Sequence, residues 1–260
     1  MARVDHMKPT TRAMRRLKLT VAYDGTTYAG WQVQPLQPTV QQTLETVIAA
    51  IVDHPVKVHG SGRTDQGVHA RRQVLHVDVA TRLNAPAMMR SCNARLPRDI
   101  RIFAVAEVRA DFHARRDAAG KEYRYFVWNA SIMPPERRLY AVQIVPLLDV
   151  ARMHEAAQAF VGSHDFAPFS ANSKREIAST VREVFACTVT KRGREIVFKV
   201  SGNGFLYKQV RSMVGFLLRV GEGVEAPEAV AEVLAAQAPR TARVPTAPPQ
   251  GLFMWRVWYD

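Results

Sequence analysis

Cysteine is nearly absent: the 260 residues hold only Cys92 and Cys187. Two thiols so far apart make neither a disulfide framework nor a CxxC pair. That excludes the small stapled folds of secreted domains and makes the cytosol, and so a cytoplasmic protein, the natural expectation. No apolar run approaches the length needed to cross a bilayer, so no membrane partner is expected. The eight histidines show no short ligand spacing in sequence, so no structural metal is expected. Low-complexity tracts are lacking as well. Acidic residues are outnumbered, with 23 Asp+Glu against 36 Lys+Arg and a net charge of +13. Such an excess favours a polyanionic partner, of which nucleic acid is the commonest. Charge alone is equally that of a soluble protein that merely runs basic. The excess is uneven: +9 up to Arg116 and +4 beyond it.

What is present is a globular composition, 47% hydrophobic and 23% charged, in a chain long enough to bury a sizeable core. The first sixteen residues carry Arg3, Lys8, Arg12, Arg15 and Arg16. They lack the apolar centre of a secretory signal, and Asp5 counts against a transit peptide. They read as a disordered basic tail touching RNA.

Periodicity divides the remainder in two. Leu17, Leu19, Val21 and Tyr23 alternate with Lys18, Thr20 and Ala22, which predicts a half-buried strand over 17–24. Thr39 and Gln42 form a T-x-x-Q capping box, followed by the apolar stripe Val40, Leu44, Val47, Ile48, Ile51 of a helix that Pro55 ends. Strands are predicted at Val56–His59 and Gln73–Ala80, a helix at Ala85–Arg95 capped by Asn84, and a strand at Ile100–Val108. The same order returns afterwards. A strand over Glu122–Trp128 precedes a helix capped by Asp149 and stopped at Gly162. A hairpin of Val181–Thr190 and Glu195–Ser201 precedes a helix over Phe205–Val220, a short helix near Pro227–Ala236 and a last strand at Phe253–Tyr259.

The expected fold is therefore α+β: two ferredoxin-like (RRM-like) βαββαβ halves, each an antiparallel sheet backed by helices, with an active-site cleft between them. The divisions are a basic tail over 1–16, a first domain over 17–112 and a second over 117–260.

Gly60-Ser61-Gly62-Arg63-Thr64-Asp65-Gln66-Gly67-Val68-His69-Ala70 lies between two predicted strands with Asp65 at its tip. By composition it is a glycine-rich turn whose aspartate accepts backbone N–H bonds, a commonplace arrangement. The stretch G-R-T-D-x-G-V-H-A is, however, similar to the signature of the TruA family of tRNA pseudouridine synthases. Tyr23-Asp24-Gly25 with Gly30-Trp31-Gln32 resembles the family's opening strand and loop. Asp111-Phe112-His113-Ala114-Arg115 and Lys121-Glu122-Tyr123-Arg124-Tyr125 resemble its central segment. Phe205 to Gly215 resembles its late helix, and Gly251-Leu252 its final strand. The likeness runs from Leu17 to Tyr259. It departs at Gln66, a variable place, and at Lys208-Gln209, where relatives often carry His-Met.

The resemblance implies isomerisation of uridine to pseudouridine in the anticodon stem-loop of tRNA, with Asp65 as nucleophile and no cofactor. It implies that Arg63 helps displace the target base, that Tyr123 lies against the uracil, and that Arg211 pairs with the catalytic carboxylate. It also implies a homodimer. Without it, Arg63 is a phosphate contact, Tyr123 a core tyrosine and Arg211 a solvated helix residue. His69 and His113 are read as structural. Two rivals stand beside this reading. A non-catalytic RNA-binding protein accounts for the charge but not for the four site residues. A metal-dependent nuclease needs several carboxylates where the signature has one, beside a repelling arginine.

Overall fold

The alternation in the first strand has its expected consequence: Leu17, Leu19, Val21 and Tyr23 are all buried. A computed structural model describes residues 13–171 and 178–260 of the chain. The first half runs β1 (Arg15–Tyr23), α1 (Val40–Val52), β2 (His59–Gly60), β3 (His69–Val79), α2 (Ala85–Arg95) and β4 (Ile100–Val108). The second runs β5 (Ala118–Asn129), β6 (Val142–Ile144), α3 (Val150–Gln158), β7 (Gly162–Asp165), β8 (Val181–Arg192) and β9 (Glu195–Gly202). It ends with α4 (Gln209–Gly221), α5 (Ala229–Ala235) and β10 (Leu252–Tyr259).

Local chemistry sets the helix starts. Thr39 Oγ1 accepts the Gln42 N–H at 3.3 Å, Asn84 Oδ1 the Ala87 N–H at 2.9 Å, and Asp149 Oδ1 the Arg152 N–H at 3.0 Å. Each bond satisfies one of the donors that a helix start leaves open. Helix α1 stops at Asp53, which turns left-handed with φ 60° before Pro55 is reached. Its stripe buries Leu44 and Ile48 completely, each contributing about 1.5–3 kcal/mol relative to exposure.

Among the described residues ten strands join one sheet, in the order β4-β1-β3-β10-β5-β9-β8-β7, with β2 on β3 and β6 on β5. Pairing is antiparallel except for β3–β10 and β5–β6. The helices back this sheet, and residues of α1 to α5 share one core with alternate residues of the strands.

Several expectations change. Two separate sheets were anticipated, but β10 pairs with β5 on one side and, through Phe253↔His69 and Met254↔Ala70, with β3 on the other. The last strand thus welds the two halves. Strand β2 is only two residues long and lies later than predicted. Strand β3 begins at His69, so the end of the glycine-rich stretch is already sheet. Helix α4 starts at Gln209 rather than Phe205, because Lys208 is left-handed (φ 59°) and the Gln209 Oε1 takes the Leu206 N–H at 2.8 Å. The basic tail was drawn too long. Arg15 and Arg16 belong to β1, where Arg16 grips both oxygens of Asp78 at 2.7 Å and Arg15 reaches Glu107 at 3.2 Å. Residues 1–12 of that tail lie outside the described residues.

Candidate active site

The loop from Gly60 to Val68 is tied down at nearly every residue before its tip. Ser61 N–H donates to Val74 O at 2.8 Å and its hydroxyl to Gln73 Oε1 at 2.5 Å. The Gln73 amide donates to Gly62 O at 2.8 Å, and Lys121 Nζ to Ser61 O at 2.7 Å. Thr64 Oγ1 meets the Tyr23 hydroxyl at 2.8 Å, while Trp31 N–H donates to Thr64 O at 3.0 Å. Gly30 makes the last contact possible. Its φ is +98°, and a Cβ there would stand 2.7 Å from Thr64 O and 3.1 Å from the Asp65 carbonyl carbon. Asp65 closes its own turn by accepting the Val68 N–H at 3.1 Å, so its carboxylate is left to face outward.

It faces Arg211. Nη1 of that residue donates to Asp65 Oδ2 at 2.8 Å, with the two side chains 11% and 21% exposed. Arg211 lies in the first turn of α4, and its Nε donates to Ala247 O at 2.8 Å. One guanidinium therefore binds a carboxylate from the first half while anchored to the Pro-rich segment before β10, which fixes both position and charge. The pair lines a cleft of about 490 Å³ with Gln66, Tyr207, Lys208 and Gln250 among the walls.

Tyr123 stands behind the pair. It is buried, and its ring meets Phe205 edge-on at 5.3 Å. Its hydroxyl lies close to the loop, 3.8 Å from where a Cβ on Gly62 would stand. Burial, then the charges of Tyr23 and Asp65, push its phenol above the ordinary range, so it is protonated. Among the described residues its hydroxyl has no hydrogen-bond partner. Arg63 is exposed, on the same loop two residues before Asp65, and does not line the cleft. The fold thus brings Asp65 and Arg211 into contact and sets Tyr123 within reach of the Asp65 charge, while neither Tyr123 nor Arg63 is among the residues that line the cleft.

His69 and His113 are structural. His69 Nδ1 accepts the Gly25 N–H at 3.0 Å and its Nε2 meets Leu139 O at 2.9 Å, so the neutral ring satisfies both. Burial is the main cause that lowers its pKa, although Asp24 lies 3.1 Å away. His113 Nδ1 accepts the Arg115 N–H at 3.2 Å. The tertiary structure also gathers what sequence spacing did not show: His59, His76 and His113 place ring nitrogens within 4.8 Å of one another. A metal does not suit them. His76 Nδ1 takes the Ala114 N–H at 3.1 Å, and His113 Nδ1 is used likewise. The ring proton of each then sits on Nε2, leaving no lone pair for an ion.

This trio has a measurable consequence for stability. Burial first, then the positive charges of His59, Arg16 and His113, lower His76 from 6.5 to about 4. The unfolded chain therefore takes up the proton before the folded one does. The contribution of His76 to stability is complete above about pH 6.5 and declines as pH falls toward about 4. Urea midpoints measured between pH 7 and pH 4.5 should fall for the wild type and fall less for His76→Gln. Equal slopes for the two proteins would contradict this.

Sequence reasoning gave Lys121 and Gln73 no role, yet both donate to backbone carbonyls of the Asp65 loop. No local signal marked them: Lys121 is flanked by Gly120 and Glu122, and Gln73 follows Arg71 and Arg72.

A family model described as tRNA pseudouridine synthase matches residues 19–117 and 156–260. The tRNA pseudouridine synthase A of Exiguobacterium sibiricum is 45% identical over 246 residues, covering 95% of this chain and 97% of that protein. The protein of the same name from Limosilactobacillus fermentum is 44% identical over 252 residues, with 95% and 97% covered. The one from Geotalea uraniireducens is 44% identical over 246 residues, with 95% and 100% covered. With a family match over most of its length and relatives this similar from end to end, the chain belongs to the tRNA pseudouridine synthase family.

Proposed function

We propose that the protein isomerises uridine to pseudouridine in the anticodon stem-loop of tRNA, with Asp65 as the nucleophile. The observation that carries this is the 2.8 Å ion pair of Asp65 with Arg211 in the cleft. Pseudouridine formation breaks N1–C1′, turns the uracil and forms C5–C1′; the C5 proton leaves and N1 gains one. A carboxylate can bond to the substrate and depart again, which splits the rearrangement into easier steps. Arg211 holds Asp65 aimed through its 2.8 Å ion pair. The Tyr123 ring lies against the uracil, and its protonated phenol relays the C5 proton by giving up its own as it receives that one. Arg63, exposed on the same loop, takes the place of the base that is turned out of its stack. No electron or group passes to another molecule, so the reaction calls for no cofactor.

The reading of two ferredoxin-like halves, 17–112 and 117–260, is supported by the strand order. Relabelled within each half, β4-β1-β3-β2 and β10-β5-β9-β8 follow the same path. A homodimer and a cytoplasmic location follow from the family likeness and from the scarcity of cysteine. Among the described residues no helix is long and apolar enough to cross a membrane.

A nuclease is the weaker reading, because Asp65 is the one carboxylate among the described residues lining the cleft and Arg211 already neutralises it. Incubation with an anticodon stem-loop RNA tritiated at uridine C5 separates the possibilities. Release of tritium with full-length RNA recovered is expected. Cut RNA, or bound RNA with its tritium intact, would overturn the proposal.

A further inference from the structure

Among the described residues Lys121 is a buried cation without a carboxylate partner. It lies in β5 two residues before Tyr123, on the same face, and is 8% exposed. Its ammonium donates to one acceptor, Ser61 O at 2.7 Å, and among the described residues it has no carboxylate partner. An ammonium kept from water with two of its N–H groups unmatched is costly to the free protein.

Two more cations converge on it. Lys121 pairs with Gly202 of β9, and Gly202 with Val184 of β8, two residues beyond Arg182. The Arg182 guanidinium donates only to backbone carbonyls, of Ser179 at 2.9 Å and Val181 at 2.6 Å, so its charge also lacks a counter-ion among the described residues. Arg115 is exposed, on the segment leading into β5, and its charge bears on both of the others. Burial first, then Arg115 and Arg182, lower the Lys121 ammonium to about 8. Two glycines lie against these groups, Gly62 beside Lys121 and Tyr123 and Gly204 beside Arg182. A Cβ at Gly62 would stand 3.8 Å from both Lys121 Nζ and the Tyr123 hydroxyl. A Cβ at Gly204 would stand 4.0 Å from Cδ and Nε of Arg182, next to Phe205, the ring that meets Tyr123 edge-on.

We infer that Lys121, Arg115 and Arg182 form a subsite for one phosphodiester of the RNA backbone, the one adjoining the nucleotide turned in against Tyr123. The inference rests on the function proposed above. A phosphodiester brings the missing negative charge and two non-bridging oxygens that accept N–H bonds. Asp65 cannot serve instead, because its carboxylate is engaged by Arg211. The alternative is that Lys121 only holds the loop through Ser61 O. The two roles differ in sign for the free protein. Removing a stranded charge leaves stability unchanged or raises it, whereas removing a needed loop tie lowers it.

The test uses an anticodon stem-loop RNA, intact or with a single neutral methylphosphonate placed at each position in turn. Binding to the wild type, Lys121→Met and Lys121→Arg is followed by anisotropy across a salt series, and each free protein is melted. Lys121→Met is expected to melt no lower than the wild type, bind the RNA about tenfold more weakly and lose about one unit of salt slope. Lys121→Arg should recover most of both. One methylphosphonate should weaken the wild type by that same factor and Lys121→Met by no more, as two changes to one contact do. Should Lys121→Met fail to fold, Arg182→Met and Arg115→Met carry the same comparison. Wild-type affinity in the charge-removing variants, or methylphosphonate losses that add in full at every position, would overturn the subsite. The same wild-type samples are assayed for tritium release. If they release none, the proposed function fails; if they do and the losses still add, only the subsite fails.

Discussion

Asp65→Ala should abolish pseudouridine formation, lowering the single-turnover rate by on the order of 10⁴-fold or more, since an enzyme stripped of its nucleophile keeps only binding and surroundings. RNA affinity should hold or tighten slightly. Contacts to many phosphates carry the binding, and the substitution removes a negative charge from a cleft that faces a polyanion. The fold should persist as well. The loop around Asp65 is held by Ser61, Gly62 and Thr64 and not by the carboxylate, and Arg211 keeps its bond to Ala247 O. Asp65→Asn, which preserves the shape, should be as inactive. The measurement is tritium release at saturating enzyme beside a filter-binding isotherm. Either variant turning over within about a hundredfold of the wild type would remove Asp65 from the nucleophile's role.

Arg211 should come second. Its substitution by methionine is expected to cut the chemical step by about 10²–10³-fold with a modest change in affinity, the usual loss when a preorganised charge partner is removed. Lysine should rescue only part of this. It restores a charge but cannot reach Asp65 Oδ2 and Ala247 O from one rigid fork. The loss at Ala247 should be small for the fold, about 1 kcal/mol for one unmade hydrogen bond. If the pair acts as one unit, Asp65→Ala with Arg211→Met together should be no slower than Asp65→Ala alone. An Arg211→Met enzyme with a normal saturated rate and weakened binding would make Arg211 a phosphate contact instead.

The site was legible in the sequence to different depths. Asp65 could be singled out only through the likeness to a family signature, because the glycine-rich turn by itself is a commonplace one. Arg211 is 146 positions away in the chain, and nothing in local spacing relates it to Asp65. Only the family motif linked them before the fold did. Lys121 belongs to the Lys121-Glu122-Tyr123-Arg124-Tyr125 stretch, but a lysine in a strand looks solvated until its burial is known. The histidines show the converse: no spacing relates His59, His76 and His113, yet β2 pairing with β3 sets His59 directly across from His76.

Element ends followed the same division. Where a side chain caps its own backbone, as at Asn84 for α2, the predicted start coincides with the observed one. At α4 it does not, since the apolar pattern from Phe205 is helical while the left-handed Lys208 is a tertiary outcome. By itself the sequence determined the order of the strands and helices apart from the short β6 and β7, together with the caps, the apolar faces and the loop that carries Asp65. All of these depend on interactions within a few residues or on the 2- and 3.6-residue periods. The tertiary structure alone decided that β10 inserts between β3 and β5, making one sheet of two halves. It also decided that Arg211 meets Asp65 and that Lys121 is buried with no counter-ion among the described residues. Strand partners and buried charges are settled by contacts between distant segments, and these are chosen by how the whole core packs.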